Sequence, residues 1–255
     1  MLTVLSPAKR LDAAPRPLAF GLPETRPRFQ TDAETLAEVA RGLGPADLRK
    51  LMDISEPLAR LNVARFASFD TAPLSTALSL FAGDTYTGLE AKTLDPDALD
   101  WAQRHLRILS GLYGLLRPFD AIAPHRLEMG SRLANPGGPD LYAFWGDRIS
   151  QALNEAAEQA ATDVLINCAS VEYFTAVDRK ALRLRVITPV FLEGRDGTQK
   201  IVSFWAKKAR GAMARFIAEN HLTEPQAIKH FDAGGYRFTP ELSDGDRWVF
   251  LRETD

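Results

Sequence analysis

The stretch that most constrains the fold is the mostly apolar run VLINCA at residues 164–169, which Asp163 and Ser170 bound. The run does not alternate apolar with polar residues, and such a run is typical of a β-strand that is buried on both faces. A strand of that kind needs packed layers on both sides of its sheet. We therefore expect a chain with both α and β structure, in which helices flank the sheet.

Local patterns predict the other elements in the first two thirds of the chain. They are a strand at residues 2–5, a helical series from Thr31 to about Phe69 with breaks at 42–45 and near Pro57, a helix at 97–109, and a long helix from Asp140 onward. The start of the helical series is placed by a capping box, Thr31 with Glu34 three positions on. The first third is therefore predicted to be mainly helical.

The last third carries strong hairpin signals. An Asp-Gly turn at residues 195–198 lies between two β-branched runs, and residues 236–253 have the pattern of a second hairpin. Between them we predict a helix from about Lys207 to Asn220 and a short helix near 225–231. The predicted fold is mixed α/β (α+β), a single compact domain over residues 1–255 whose mixed or antiparallel sheet is flanked by helices.

Composition excludes several classes of function. The 31 Lys and Arg against 33 Asp and Glu give a net charge of −2, so a nucleic-acid site would depend on local segregation of charge. Cys168 is the sole cysteine and the histidines lack metal-ligand spacing, so we predict no disulfide and no metal site. No cofactor fingerprint, signal peptide or membrane-spanning window occurs, which predicts a cytoplasmic protein without a cofactor.

The segment SFWAKKARGAMARF, residues 203–216, has four cations and no carboxylate. On the predicted helix, Lys207 and Lys208 lie in the first turn, where cations oppose the helix dipole unless an anion is bound. At about 100° per residue, one face is apolar and the opposite arc is basic. The apolar face contains Ala209, Met213, Phe216 and Ile217, and the basic arc contains Lys207, Lys208, Arg210 and Arg215.

The middle of this basic arc holds only the small residues Gly211, Ala214 and Ala218. A strip without long side chains lets a ligand approach the backbone, so we interpret the arc as the positive wall of an anion-binding cleft. The alternative is that the four cations form internal ion pairs. Candidate partners for those pairs are Asp84, Glu90 and Glu128.

The Gly- and Pro-rich connection at residues 110–139 holds a second candidate anion site. Gly111 and Gly114 follow a predicted helix that bears Arg107. Glycines at a tight helix–helix turn allow backbone N–H groups to face a phosphate. Glycines also end helices routinely, so a purely structural turn is the alternative.

Charged residues in other predicted turns complete the candidate set. Lys9 follows the first strand, where ligands gather in open α/β sheets, and is a candidate anion contact or reactive amine, or else a solvated loop lysine. Asp84, Arg126 and Glu128 lie in Gly-containing turns. They could contact an anion or supply acid–base chemistry, and structural ion pairing is the alternative.

A set of motifs in fixed order resembles the YaaA family of peroxide-stress resistance proteins, formerly a domain of unknown function. The matching pieces are SPAKRLD at 6, GDTYTGL at 83, LSGLYGLLRPFD at 109, RLEMG at 126, FWGD at 144, NCASVEYF at 167, PVFLEG at 189 and SFWAKKARGAMARF at 203. Two positions depart from the family pattern, with His125 where Tyr is expected and Cys168 where Leu is expected.

The resemblance implies a single-domain mixed α/β fold peculiar to the family, a positive cleft, a helix-hairpin-helix-like element and binding to double-stranded DNA. It also implies a role in hydrogen peroxide stress that limits damage from unincorporated iron. The residues that stand in family motifs are Lys9, Gly111, Gly114, Lys207, Lys208 and Arg210.

Two functions follow from these patterns, and a third, an iron-handling protein, is disfavoured by the absence of a cluster of metal ligands. The first is a non-enzymatic protein that binds DNA phosphates without reading sequence. The second is an enzyme for a small anionic or nucleotide substrate, with Lys9, Asp84 and Glu128 as its catalytic candidates. The shape of the cleft separates them, because a duplex needs a through-groove roughly 20 Å wide, whereas a small ligand needs a pocket of roughly 300 to 1,000 Å³.

Overall fold

The computed structural model describes residues 1–14 and 22–253, so residues 15–21 and 254–255 of the predicted 1–255 domain lie outside the described residues. The strands are β1 Leu2–Leu5, β2 Arg10–Leu11, β3 Ser75–Thr76, β4 Phe81–Ala82, β5 Leu106–Ser110, β6 Gly114–Leu116, β7 Ala121–Ile122, β8 Val164–Cys168, β9 Arg185–Arg195, β10 Thr198–Lys200, β11 Arg237–Phe238 and β12 Arg247–Glu253.

Helices fill most of the connections. The α-helices are α1 Gln30–Arg41, α2 Pro45–Met52, α3 Glu56–Ala67, α4 Ala77–Leu80, α5 Asp84–Leu89, α6 Pro96–His105, α7 Leu141–Trp145, α8 Arg148–Gln159, α9 Val171–Phe174 and α10 Ser203–Glu219, and short 3₁₀ segments lie at Ala91–Thr93, Pro225–His230, Ala233–Gly235 and Pro240–Leu242. None of the described helices combines the length and apolar character needed to cross a membrane.

The main sheet is mixed, with strand order β11-β12-β9-β8-β1-β5-β6 and with β10 paired to β9. Its centre, from β12 to β5, is entirely parallel, while β6, β10 and β11 pair antiparallel to their neighbours. The mixed α/β prediction is therefore confirmed. Parallel strands need crossover connections, which explains why helices separate β1, β5, β8 and β9.

The two buried strands predicted from apolar runs, at residues 2–5 and 164–169, are confirmed. Every residue of β1 and of β8 is buried, and β1 pairs with β8 from Leu2 opposite Leu165 to Leu5 opposite Cys168. Strands covered on both faces need no polar alternation, which is why these runs are nearly all apolar. The β9–β10 and β11–β12 hairpins are also confirmed.

Three predicted boundaries were wrong. The helix at 97–109 ends at His105, because Leu106–Ser110 is the buried strand β5. The long helix from Asp140 is broken at Gly146, whose φ of 51° ends α7. The capping box at Thr31 does not form, since α1 already begins at Gln30 without a side-chain cap.

A further boundary error changes the interpretation of the basic segment. The strand β10 ends at Lys200 and α10 begins at Ser203, so Lys207 lies beyond the first helical turn. The proposed conflict between Lys207, Lys208 and the helix dipole therefore does not exist, because that effect fades within the first turn.

The small-residue strip of α10 is covered by protein. Gly211, Ala214 and Ala218 are all buried. A Cβ built on Gly211 would collide with the Thr85 carbonyl group, and one on Gly88 of α5 would lie 2.9 Å from the Lys208 carbonyl carbon. The two helices thus cross backbone against backbone, so the prediction that Gly211 faces a ligand was wrong.

Candidate functional site

A cavity of about 440 Å³ opens where β1 and β8 end, and it is called the main cavity below. Its walls are residues 6–10 after β1, residues 82–85 at the start of α5, the last residue of β8 with three residues that follow it, and two cations of α10. The carboxyl ends of adjacent parallel strands are where ligands collect in open α/β sheets. The location expected for a ligand near Lys9 therefore contains a cavity.

Hydrogen bonds between the two strand ends hold this edge together. The Ser170 backbone N–H donates to Ser6 Oγ at 2.8 Å, and the Ser6 hydroxyl donates to Ser170 Oγ at 3.3 Å. The Tyr86 hydroxyl of α5 donates to the Ser6 carbonyl oxygen at 3.2 Å. These contacts fix the loop that carries Lys9 relative to α5 and β8.

Helix α10 supplies two cations to the cavity wall, Lys207 and Arg210. Among the described residues neither side chain forms an ion pair with a carboxylate. Arg210 is only partly exposed, and burial lowers the pKa of its guanidinium. A half-buried guanidinium without a carboxylate is an energetically costly arrangement that a bound anion would relieve.

The cavity lining is positive overall. Its cations are Lys9, Arg10, Lys207 and Arg210, and its carboxylates are Asp84 and Glu172, which gives four positive and two negative charges. Glu172 is partly engaged elsewhere, since its Oε1 accepts a hydrogen bond from the Gly130 backbone N–H at 3.1 Å. The segregation of charge predicted from the sequence is present at this cavity.

A buried carboxylate, Glu128, lies behind Lys9. Arg126 donates to Glu128 Oε1 from Nε at 2.9 Å and lies 2.7 Å from it through a terminal nitrogen, while Lys9 Nζ is 3.5 Å from the same oxygen. The other oxygen, Oε2, is buried and has no hydrogen-bond partner in the part of the chain that the structure describes. Lys9 and Glu128 both border a void of about 10 Å³ that adjoins the main cavity, so Lys9 connects the two.

Two predicted anion contacts on α10, Arg215 and Lys208, do not line the main cavity. Arg215 donates to the carbonyl oxygens of Leu89 and Glu90 and pairs with Glu219 at 2.6 Å. Arg215 therefore forms internal contacts, as the alternative interpretation of the basic arc predicts. Lys208 is exposed outside the cavity lining, with its Nζ 6.0 Å from the Trp205 ring centroid.

Arg107 borders a separate cavity of about 240 Å³. Its guanidinium donates to backbone carbonyl oxygens, the shortest bond being 2.8 Å to Leu106. Burial, followed by the nearby charge of Arg117, lowers the Arg107 pKa to about 10. The structure therefore does not bring Arg107 together with Lys9 and Arg210.

The glycine turn at 111–114 connects strands β5 and β6. The prediction of a helix–helix turn here was therefore wrong. Gly114 has a φ of 66°, and a Cβ there would lie 2.7 Å from the Trp145 ring. The Gly111 carbonyl oxygen accepts a hydrogen bond from Trp145 Nε1 at 3.0 Å. Both glycines are buried: Gly114 leaves room for the indole, and Gly111 lies against the backbone of Leu127 and Glu128. These contacts support the structural alternative for this turn.

The two positions that depart from the family pattern are both buried. Burial lowers the pKa of His125 to about 4, so the imidazole is neutral, and its Nδ1 lies 2.9 Å from the Ala123 carbonyl oxygen. Cys168 lies at the floor of the main cavity, and burial raises the pKa of its thiol to about 12. Neither group carries charge near neutral pH.

Ser170, Glu172 and Tyr173 reach the cavity but were not among the predicted site residues. The rule that selected Lys9, proximity to a strand end, applies equally to Ser170 and Glu172, which follow β8. In the described part of the chain, no group of three His, Cys, Asp or Glu side chains is placed to hold a metal ion.

Comparison with known proteins identifies the family. A family model described as peroxide stress protein YaaA matches residues 1–242. The chain is 66% identical over 255 residues to a UPF0246 protein of Cereibacter sphaeroides, with 99% of each chain covered. It is 59% identical over 256 residues to a UPF0246 protein of Ruegeria pomeroyi, with 99% of this chain and 98% of the relative covered. This chain therefore belongs to the YaaA family of peroxide stress proteins.

Proposed function

We propose that this chain binds a small phosphate-bearing ligand in the main cavity, and that this binding is its molecular role. The observation that carries the proposal is Arg210, a partly buried guanidinium that borders the cavity and has no carboxylate partner among the described residues. The cavity volume of about 440 Å³ lies within the range of small-molecule sites and favours this ligand over a duplex.

The charge of the lining favours phosphate over a carboxylate ligand. The cavity has an excess of two positive charges, which a phosphate monoester of nearly two negative charges would neutralise. Arg210 offers a planar fork of N–H donors suited to phosphate oxygens, and Lys207 and Lys9 add mobile ammonium groups. Partial burial strengthens these interactions relative to those at a fully exposed surface.

The test is calorimetric titration with ribose 5-phosphate of the wild type and of Arg210→Met. Charged hydrogen bonds are worth about 1.5–3 kcal/mol, so the variant is expected to bind at least about tenfold more weakly. Because Met replaces an unpaired, partly buried charge with an apolar chain, the free variant is expected to unfold no more easily than the wild type.

The matched control is Lys208→Ala, which removes a cation of α10 that lies outside the cavity lining. Its affinity for ribose 5-phosphate is expected to change by less than about twofold, as is usual for an exposed charge. Equal losses in Arg210→Met and Lys208→Ala would mean that general surface charge, not the cavity, attracts the anion. No binding by the wild type at millimolar ligand would refute the proposal.

A second candidate is binding to double-stranded DNA without sequence preference, and with it protection of DNA from damage caused by unincorporated iron. The observation that favours it is a run of exposed cations beside the cavity: Lys9, Arg10, Lys207 and Lys208. Fluorescence anisotropy with two unrelated duplexes tests it. Four phosphate contacts predict a slope of log affinity against log salt of about −3.6, equal for both duplexes. Absence of binding at low salt would remove this candidate.

A further inference from the structure

A second cavity, of about 490 Å³, adjoins the main cavity at Arg210, which borders both. We call it the apolar cavity, because most of its lining is apolar side chains from the end of β8, from α9, from β9 and from the start of α10. The small phosphate ligand proposed above does not need this space. Phosphate binding in the main cavity therefore gives no role to the apolar cavity.

The rim of the apolar cavity is unusually apolar for a protein surface. Val171 at the start of α9 is 84% exposed, and Ile201 before α10 is 59% exposed. Both side chains border the cavity, so the exposed apolar surface and the cavity form one continuous feature. Apolar surface at the mouth of a cavity is typical of a ligand-binding site.

The floor of the apolar cavity contains a buried polar group, the Asn167 amide, which is 7% exposed. Its Oδ1 accepts a hydrogen bond from the Ala169 backbone N–H at 3.1 Å. Its Nδ2 donates to Thr188 Oγ1 at 3.4 Å, which is a long hydrogen bond. An acceptor on a ligand could therefore take a hydrogen bond from Nδ2 at little cost.

Arg210 joins the two cavities chemically. The edge of a guanidinium donates hydrogen bonds to phosphate, while its flat face stacks on planar rings. Phe174, a partly buried ring on α9, offers a second planar surface in the same cavity, and the guanidinium of Arg179, which also lines the cavity, lies 5.9 Å from the centroid of this ring. A ligand with a phosphate in the main cavity and a flat heterocycle in the apolar cavity would use every one of these features.

We infer that the apolar cavity binds the nucleobase of a nucleotide whose phosphate is held in the main cavity. This inference rests on the proposed function, because the phosphate anchors the ligand beside Arg210. The nucleobase supplies the planar apolar body that the cavity and its rim accept, and a ring acceptor faces the Asn167 amide. The nucleotide is either free or one unit of a nucleic-acid strand.

The experiment compares adenosine 5′-monophosphate with ribose 5-phosphate by calorimetric titration of the wild type. Stacking of a base on a protein ring contributes about 1–3 kcal/mol, so the nucleotide is expected to bind at least about fivefold more tightly than the sugar phosphate. If both bind with equal affinity, the nucleobase inference is wrong although the proposed function stands. If neither binds, the proposed function itself fails.

Phe174→Ala tests where the base lies. The variant is expected to lose the nucleotide's advantage and to keep the wild-type affinity for ribose 5-phosphate. The matched control is Phe204→Ala, which removes a 50% exposed ring of α10 that borders neither cavity. A nucleotide advantage that survives Phe174→Ala, or is lost equally in Phe204→Ala, would overturn the assignment.

A third titration separates the two sources of the nucleotide. A short single-stranded deoxyoligonucleotide with a 5′-phosphate competes with adenosine 5′-monophosphate if the site takes a unit of a strand, and the inference then holds for nucleic acid. If only the free nucleotide binds and Phe174→Ala weakens it, the inference holds for a free nucleotide. If the oligonucleotide competes equally well in the wild type and in Phe174→Ala, the inference is contradicted.

Discussion

Gly211→Ala is the substitution that tests the contact between α5 and α10 most directly. An ideal Cβ at this position would lie 2.8 Å from the Leu89 nitrogen and from the Thr85 carbonyl carbon, and closer still to the Thr85 carbonyl oxygen. All three atoms belong to the backbone of α5, so the clash cannot be relieved by moving a flexible side chain. The two helices must separate for the methyl group to fit.

The magnitude follows from two opposing effects. Ordinary van der Waals contact for a Cβ begins at 3.4 Å, so clearing the two atoms at 2.8 Å needs a shift of 3.4 − 2.8 = 0.6 Å, and clearing the nearer Thr85 oxygen needs a larger one. Overpacking of a core costs about 1–3 kcal/mol, and a rigid backbone neighbour places this site at the upper end. Alanine regains about 1 kcal/mol of helix propensity. The expected net loss in free energy of unfolding is about 2 kcal/mol.

Urea and thermal unfolding measure this loss, which corresponds to about 4–8 °C in Tm for a chain of this size. Affinity for ribose 5-phosphate is expected to fall as well, because Asp84 and Thr85 of the displaced helix line the main cavity. The control is Gly42→Ala after α1, where φ is −71° and the nearest atom to a new Cβ is at 3.4 Å. If Gly211→Ala is as stable as the wild type, the close helix crossing is wrong.

Three further predictions concern buried ionisable groups. Because burial raises the Cys168 pKa to about 12, iodoacetamide at pH 8 is expected to label the native thiol far more slowly than the urea-unfolded one, and equal rates would contradict this. Burial lowers the folded-state pKa values of His105 and His125 from 6.5 to about 4, so the unfolded state binds more protons between these values. The free energy of urea unfolding is therefore expected to fall as the pH is lowered from about 6.5 to about 4, and a flat profile over that range would refute this. Arg126→Ala leaves the Glu128 carboxylate buried with Lys9 Nζ 3.5 Å away, and is expected to cost about 3–5 kcal/mol in urea unfolding. Adding Glu128→Gln is expected to restore part of this loss, and no restoration would show that the buried charge is not the cause.

Much of the fold could be predicted because it depends on local patterns. The buried strands β1 and β8, the helical first third and the two hairpins all follow from runs, breaks and turn residues. The errors fall where tertiary contacts decide. Leu106–Ser110 continues a helical pattern but is taken up by the sheet, and α10 begins four residues earlier than Lys207 because β10 is short.

The candidate site could be predicted only in part. Lys9, Asp84, Lys207 and Arg210 meet at one cavity, as the strand-end rule and the basic arc indicated. The sequence could not show that α5 covers Gly211, because a strip of small residues looks the same whether a ligand or a helix lies on it. Nor could it show that Arg215 is held by the end of α5, since that contact joins distant segments.

The position of β1 in the middle of the sheet has a consequence for how the chain acquires its binding site. The cavity around residues 6–10 forms only after β1 has paired with β5 and with β8, which lies about 160 positions later, and after Arg210 of α10 has packed beside them. Pairings between such distant segments form slowly, because loop-closure entropy opposes them until late in folding. On a ribosome the cavity walls cannot meet until Arg210 of α10 has been synthesised. A nascent chain therefore leaves the edge of β1 that pairs with β8 open until β8 has been synthesised, which exposes this early strand to aggregation in the meantime.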